Sequence, residues 1–201
     1  MPAEIILLTG EAEIPHLTAV LLEQNPDLVV TPVSTIDKLT RASRKSRAKG
    51  KRRLLAYCTS IIVPDEVLNL VDGPAYNFHP GPPSYPGVLP ANFAIYDGAV
   101  QFGVTAHVMT EQVDEGAIVA VDTFEIAPDS NFNDLEIKAY LALFELFKKL
   151  TSQLASSDEP LSEVEFAWGS RKTTYQEYED LKRQVAFLSA EEKERRQRAF
   201  D

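Results

Sequence analysis

Ile5, Ile6, Leu7 and Leu8 follow one another without a polar residue. A strand that is apolar on both faces has to be covered on both faces, which is the habit of a parallel sheet between two helix layers. Thr9-Gly10 ends the run, and Ile14, Leu17, Val20 and Leu21 recur at helical spacing over 14–24. Leu28-Val-Val-Thr-Pro-Val33 reads as a second strand that stops near Pro32. Strand, helix, strand in this order opens a βαβ unit. The expected fold class is α/β, a Rossmann-like three-layer sandwich with a mostly parallel sheet and helices on both faces.

Further elements follow in chain order. Leu54–Tyr57 is a third strand with Cys58–Val63 as its exit loop, and Pro64 opens a helix with Asp65 and Glu66 in its first turn. Residues 91–98 suit a short helix that Gly98 stops. Residues 101–109 and 117–126 read as two more strands around a compact turn, Gln112-Val-Asp-Glu-Gly116. The helix over 131–155 has Asn131 or Asn133 to cap it, and Tyr140, Leu143, Phe147, Leu150 and Leu154 form its core stripe. Beyond Ser156 the composition turns polar, Trp168 falls in a loop, and Tyr175–Arg198 has helical spacing. The expected organisation is a unit of 1–155 with a polar, helical extension over 156–201. That extension has three readings: it wraps the domain, binds a partner, or moves. A homodimer would find its face on the 131–155 helix or on this tail.

At 201 residues with 44% apolar content, the chain can build one sizeable core. A formal net charge of -10 argues against holding nucleic acid by overall field. Residues 38–53 run the other way, with Lys38, Arg41, Arg44, Lys45, Arg47, Lys49, Lys51, Arg52, Arg53 and no acid. Two readings stand, a local patch for a phosphate or polyanion and a solvated helix face; no aromatics interleave the charges. Cys58 is the single cysteine, so no internal disulfide framework exists. Three histidines and that cysteine form no ligand-spaced cluster, and no metal is expected. No apolar run reaches the roughly 18 residues of a membrane span, and Met-Pro-Ala-Glu lacks a signal-peptide pattern. The expectation is a soluble, cytoplasmic protein with no membrane partner.

The densest chemistry lies in Ala75-Tyr-Asn-Phe-His-Pro-Gly-Pro-Pro-Ser-Tyr-Pro-Gly87. Asn77 and His79 are two apart, so a strand through them projects both on one side. Prolines at 80, 82, 83 and 86 stiffen the loop that follows. A stiff loop after a strand can hold an amide and an imidazole at a reacting centre. It can equally be a surface turn with a solvated histidine.

Three segments in order resemble the folate-dependent formyltransferase family. They are Ala56-Tyr-Cys-Thr-Ser-Ile-Ile-Val-Pro64; Asn77-Phe-His-Pro80; and Gly103-Val-Thr-Ala-His-Val108 followed by Gln112-Val-Asp-Glu-Gly-Ala-Ile-Val119. The resemblance implies transfer of a formyl group from 10-formyltetrahydrofolate to an amine, with Asn77, His79 and Asp114 as catalytic residues. Asn77 and a protonated His79 would meet the tetrahedral oxyanion, and Asp114 would relay the proton. Thr105 and His107, two apart on one strand, would hold Asp114 and its water; a core histidine bonded to backbone is the other reading of His107. By the same resemblance the backbone of Ser60, Ile61 and Ile62 would bond the pterin ring, with Thr59, Glu111 and Val113 around it.

Departures shape the acceptor. Leu8-Thr9-Gly10-Glu11 replaces the Gly-Ser-Gly phosphate loop of the glycinamide-ribonucleotide members, which speaks against a phosphoribosyl substrate. Past residue 155 nothing alternates like the C-terminal barrel of the methionyl-tRNA members, and tRNA is not the expected partner. The leading expectation is an N-formyltransferase for a small-molecule amine or amino sugar. A 10-formyltetrahydrofolate hydrolase and a non-catalytic folate- or partner-binding module are the alternatives.

Overall fold

The computed structural model describes residues 1–45, 49–183 and 188–201. Arg47 of the basic stretch, and residues 184–187 of the tail, lie outside these. Six strands form one sheet: β1 Glu4–Leu8, β2 Val29–Val33, β3 Arg52–Tyr57, β4 Tyr76–His79, β5 Gln101–Val108 and β6 Ile118–Glu125. Their order is β2-β1-β3-β4-β5-β6. β2, β1, β3 and β4 pair in parallel, whereas β4–β5 and β5–β6 are antiparallel. The sheet is therefore mostly parallel, as an α/β sandwich requires.

The alternation of strand residues sorts the core into two layers. Ile5, Leu7, Leu55, Tyr57, Tyr76 and Phe78 face α1 (Ile14–Gln24) and α5 (Phe132–Ser156). Ile6, Leu8, Leu54 and Ala56 face α2 (Ile36–Arg44) and α3 (Asp65–Leu68). The second layer is thinner because α3 is a single turn. The C-terminal end of β4 on that side is left without a helix above it. Asn77 stands beside Ala56 in the parallel register, so Asn77 and His79 face this uncovered region.

Helix ends follow the expected chemistry. Asn131 accepts from Asp134 N–H and Asp134 accepts from Asn131 N–H, a reciprocal cap on α5. Of the α5 stripe, Leu143, Phe147 and Leu154 are buried, Leu150 is partly so, and Tyr140 sits at the margin. Gly98 ends α4 (Pro90–Asp97) in the left-handed conformation. No helix among the described residues is long and apolar enough to cross a membrane.

Among the three readings of the tail, its described residues wrap the sheet domain. Arg53 is buried and donates to the carbonyls of Leu154 and Glu159, and Leu161 N–H donates to Tyr76 Oη. Two helices follow, α6 (Tyr175–Arg183) and α7 (Ala190–Phe200). Phe200 is 4% exposed and stacks against Phe93, Tyr96 and Tyr178. Phe200→Ala should cost about 3–4 kcal/mol of unfolding free energy, the usual penalty for an emptied aromatic site. Urea denaturation checks it, and a loss within about 0.5 kcal/mol of wild type would mean that the tail does not belong to the cooperative core.

Candidate active site

Two strand registers assemble the site. β5 runs antiparallel to β4 with Asn77 opposite His107 and His79 opposite Thr105. Directly opposed side chains in such a pair lie about 5 Å apart, so two i, i+2 pairs become one four-residue block. The β5–β6 register shifts between Ala106 and His107, and the strands then diverge into the turn that carries Asp114. Asp114 has φ 50°, in the left-handed region that Asp tolerates better than most residues. Its carboxylate turns inward and is 3% exposed.

Three groups surround that carboxylate, two of them within hydrogen-bond distance. His79 Nδ1 lies 3.6 Å from Oδ2, His107 Nε2 lies 3.2 Å from Oδ1, and Gly87 N–H donates to Oδ2 at 2.8 Å. Each imidazole has its other nitrogen fixed by the backbone. His79 Nε2 is 3.0 Å from the Tyr85 carbonyl and His107 Nδ1 is 2.9 Å from the Val108 carbonyl. A carbonyl only accepts, so both of those nitrogens carry hydrogen. His107 Nε2 also lies 3.1 Å from Asn77 Nδ2. A neutral His107 accepts there from Asn77, and a charged one donates to Asp114 instead.

Burial disfavours charge on both His79 and Asp114, and their contacts oppose it. For His79 burial prevails: its pKa is lowered, although the Asp114 charge and the Tyr85 carbonyl pull upward. For Asp114 burial alone would raise the pKa. The His107 hydrogen bond, the nearby His79 and the Gly87 N–H outweigh it and bring it down to about 2. Asp114 is therefore an anion throughout the physiological range.

The site opens into a cavity of about 380 Å³. Thr59, Ser60, Ile61, Ile62, Glu111, Val113 and Asp114 all line it, as do Asn77, His79 and His107. Residues 59–63 lie in neither helix nor strand, so their backbone polar groups are not committed to a ladder. One expectation needs correction. Thr105 is fully buried, and its hydroxyl donates to the Gly81 carbonyl at 2.8 Å. Its one hydroxyl hydrogen is committed there, so it has none to give Asp114 and holds the proline loop instead. His107 does contact Asp114. Its Nδ1 is also backbone-bonded, so the two readings of this histidine describe its two nitrogens.

Several contributors were not read from the sequence. The proline loop supplies the Tyr85 carbonyl and the Gly87 N–H. A Cβ on Gly81 would come within 2.6 Å of His79 Nε2, so only glycine leaves the imidazole its place. The tail supplies Lys172, Thr173, Thr174 and Tyr175 to the cavity wall, with Gly87 and Thr173 forming a parallel bridge. Trp168 packs against the rings of both His79 and His107. Its being the single tryptophan, in a polar segment, was the one hint available.

The family model described as Formyl transferase matches residues 49–142. Over those residues the chain is similar to the formyl transferase family. They hold β3, β4, β5 and the Asp114 turn. A methionyl-tRNA formyltransferase from a Nitratiruptor species is 29% identical over 151 residues, 75% of this chain and 48% of that protein. The chain thus spans about half the length of that relative. Among solved structures, a 4-N formyltransferase from Francisella tularensis superposes with TM-score 0.76 at 18% identity, covering 98% of this chain and 87% of its own. An N-formyltransferase from Helicobacter canadensis, solved with folinic acid and dTDP-3-aminofucose, gives 0.73 at 19% identity, covering 100% and 81%. At such identities these two likenesses show the fold.

The lowered pKa values set a pH signature for stability. The folded state binds fewer protons than the unfolded one wherever a folded pKa is depressed, so stability falls on acidification through that window. His79 should cost stability as pH drops below about 6.5, and Asp114 should do so as pH falls from about 3.8 towards 2. In Asp114→Asn, which keeps the left-handed backbone, the lower window should vanish. The upper one should deepen, because the charge that favours the imidazolium is gone. Melting temperatures across pH 3–8 check both; identical curves for variant and wild type would overturn the assignment.

Proposed function

We propose that the protein transfers a formyl group from 10-formyltetrahydrofolate to an amine of a small-molecule acceptor, with an amino sugar as the best-supported class. The observation that carries this reading is a buried carboxylate between two imidazoles, beside an amide, at the wall of a ring-sized cavity. The family match and the sugar N-formyltransferase folds support it. The donor supplies an activated formyl carbon. Its pterin would lie against the backbone of Ser60, Ile61 and Ile62, with Thr59, Glu111, Val113 and Met109 around it.

The roles of the side chains follow from their positions. Attack by an amine on the formyl carbon places negative charge on oxygen and an extra proton on nitrogen. Asn77 Nδ2–H and a protonated His79 Nδ1–H meet that oxygen. Each such donor is worth about 10²–10³ in rate when it acts in a site closed to water. The 3.6 Å between His79 Nδ1 and Asp114 is longer than a hydrogen bond, which leaves the Nδ1–H able to turn to a substrate oxygen. Asp114, ionised at working pH, accepts the proton of the attacking amine and passes it to the departing folate nitrogen. Its charge also favours the imidazolium that burial resists. His107 holds Asn77 in one state and Asp114 in the other.

Incubation with 10-formyltetrahydrofolate and a panel of amino sugars, simple amines and aminoacylated tRNA tests the reading. Tetrahydrofolate should appear only with an acceptor, and a nucleotide-linked or free amino sugar should be formylated. Release without any amine would favour the hydrolase, and absence of folate binding would remove both enzyme readings. His79→Ala should lower kcat by about a hundredfold or more and leave folate affinity within a few-fold. Undiminished turnover in that variant would remove its role at the oxyanion.

A further inference from the structure

Trp168 touches three parts of the site at once, from a segment beyond the matched family region. Its ring centroid lies 5.0 Å from that of His107 with an interplanar angle of 86°, and 6.1 Å from that of His79 at 72°. Its indole Nε1–H donates to the Gly116 carbonyl at 2.8 Å, in the turn that carries Asp114. The family match stops at residue 142. Trp168 is also absent from the cavity wall, so it stands behind the imidazoles rather than against a ligand.

The segment that carries it is clamped to the proline loop. Gly169 N–H donates to the Pro83 carbonyl, Thr173 N–H to the Pro86 carbonyl, and Val88 N–H returns to the Thr173 carbonyl. A Cβ on Gly169 would lie 2.9 Å from the Ser84 carbonyl oxygen, and one on Gly87 would lie 2.3 Å from the Thr173 carbonyl oxygen. Close backbone approach on both sides fixes where the indole stands. The His79 ring, by contrast, has one hydrogen bond, to the Tyr85 carbonyl, and can tip about it, while His107 Nε2 lies between two competing partners, Asn77 and Asp114. Edge-on aromatic contact to both rings limits that tipping and that exchange.

We infer that Trp168 is a positioning residue that holds His79 and His107 in their orientation towards Asp114 and ties the Asp114 turn to the same point. The inference takes its catalytic meaning from the proposed formyl transfer, but its physical content concerns two rings in the free protein. His16 is the remaining histidine and serves as an internal control.

Imidazole NMR of the full chain labelled with ¹⁵N-histidine reads the rings directly. Wild type should show one well-defined state for each ring, with hydrogen on His79 Nε2 and on His107 Nδ1. Trp168→Ala should turn both into tautomer mixtures, leaving the His16 signals as they were. Trp168→Phe, which keeps a ring but not the N–H, should retain most of the wild-type pattern. Should the alanine variant not fold, Trp168→Leu, which fills the space without aromatic contact, decides the same question. In the formylation assay the alanine or leucine variant should lose about ten- to a hundredfold in kcat with KM within about threefold, and shift the pH profile. Phenylalanine should restore most of it. Unchanged histidine spectra in a folded alanine or leucine variant would overturn the inference. Altered spectra in a protein without formyl transfer would leave the positioning intact and remove the proposed reaction instead.

Discussion

A carboxylate with 3% of its surface exposed stays charged only if neighbours replace the water it has lost, and Asp114 has the Gly87 N–H and His107 within hydrogen-bond distance and the His79 ring just beyond it. His79 arrives from β4, His107 from β5, and the Gly87 N–H from the loop after β4. Each is committed elsewhere as well, to the Tyr85 carbonyl, the Val108 carbonyl and the Thr173 bridge. Moving any one of them leaves a buried charge short of a partner, which costs several times more than an ordinary hydrogen bond gains. The sheet registers, the proline loop and the tail are coupled through this one group.

That coupling explains the proline loop. Its rigidity presents two backbone groups at fixed positions, a carbonyl to His79 and an N–H to Asp114. Thr105, opposite His79 on β5, secures the same loop through Gly81. The loop's other side meets residues 169–173 backbone to backbone. The polar extension therefore closes the back of the site, and Trp168 sits where the two imidazoles and the Asp114 turn meet.

Much of the fold was legible in the sequence because its signals are local. The Ile5–Leu8 run, the 14–24 spacing, the Asn131 cap and Gly98 each act within a few residues, and each element formed where its pattern lies. Asn77 with His79, and Thr105 with His107, were legible as pairs because strand alternation has period two. Their roles relative to one another were not. A single register choice puts Thr105 opposite His79, where its hydroxyl bonds the Gly81 carbonyl, and nothing in either segment states that register. Trp168 was less legible still. Its partners lie far back in the chain, at His79, His107 and Gly116, and its own neighbours, Phe166, Ala167 and Gly169, carry no spacing that points to them.

The sequence by itself determined the layers of this protein, the face that each strand residue takes, and the presence of amide, imidazole and carboxylate groups in family order. Those follow from hydrophobic periodicity and from short motifs, which act over the length of one element. Only the tertiary structure decided which nitrogen of each histidine is free, that Asp114 is buried yet ionised, and that the tail completes the site. Those outcomes depend on distances between segments remote in the chain, and burial, which sets the electrostatics, exists only after they have packed.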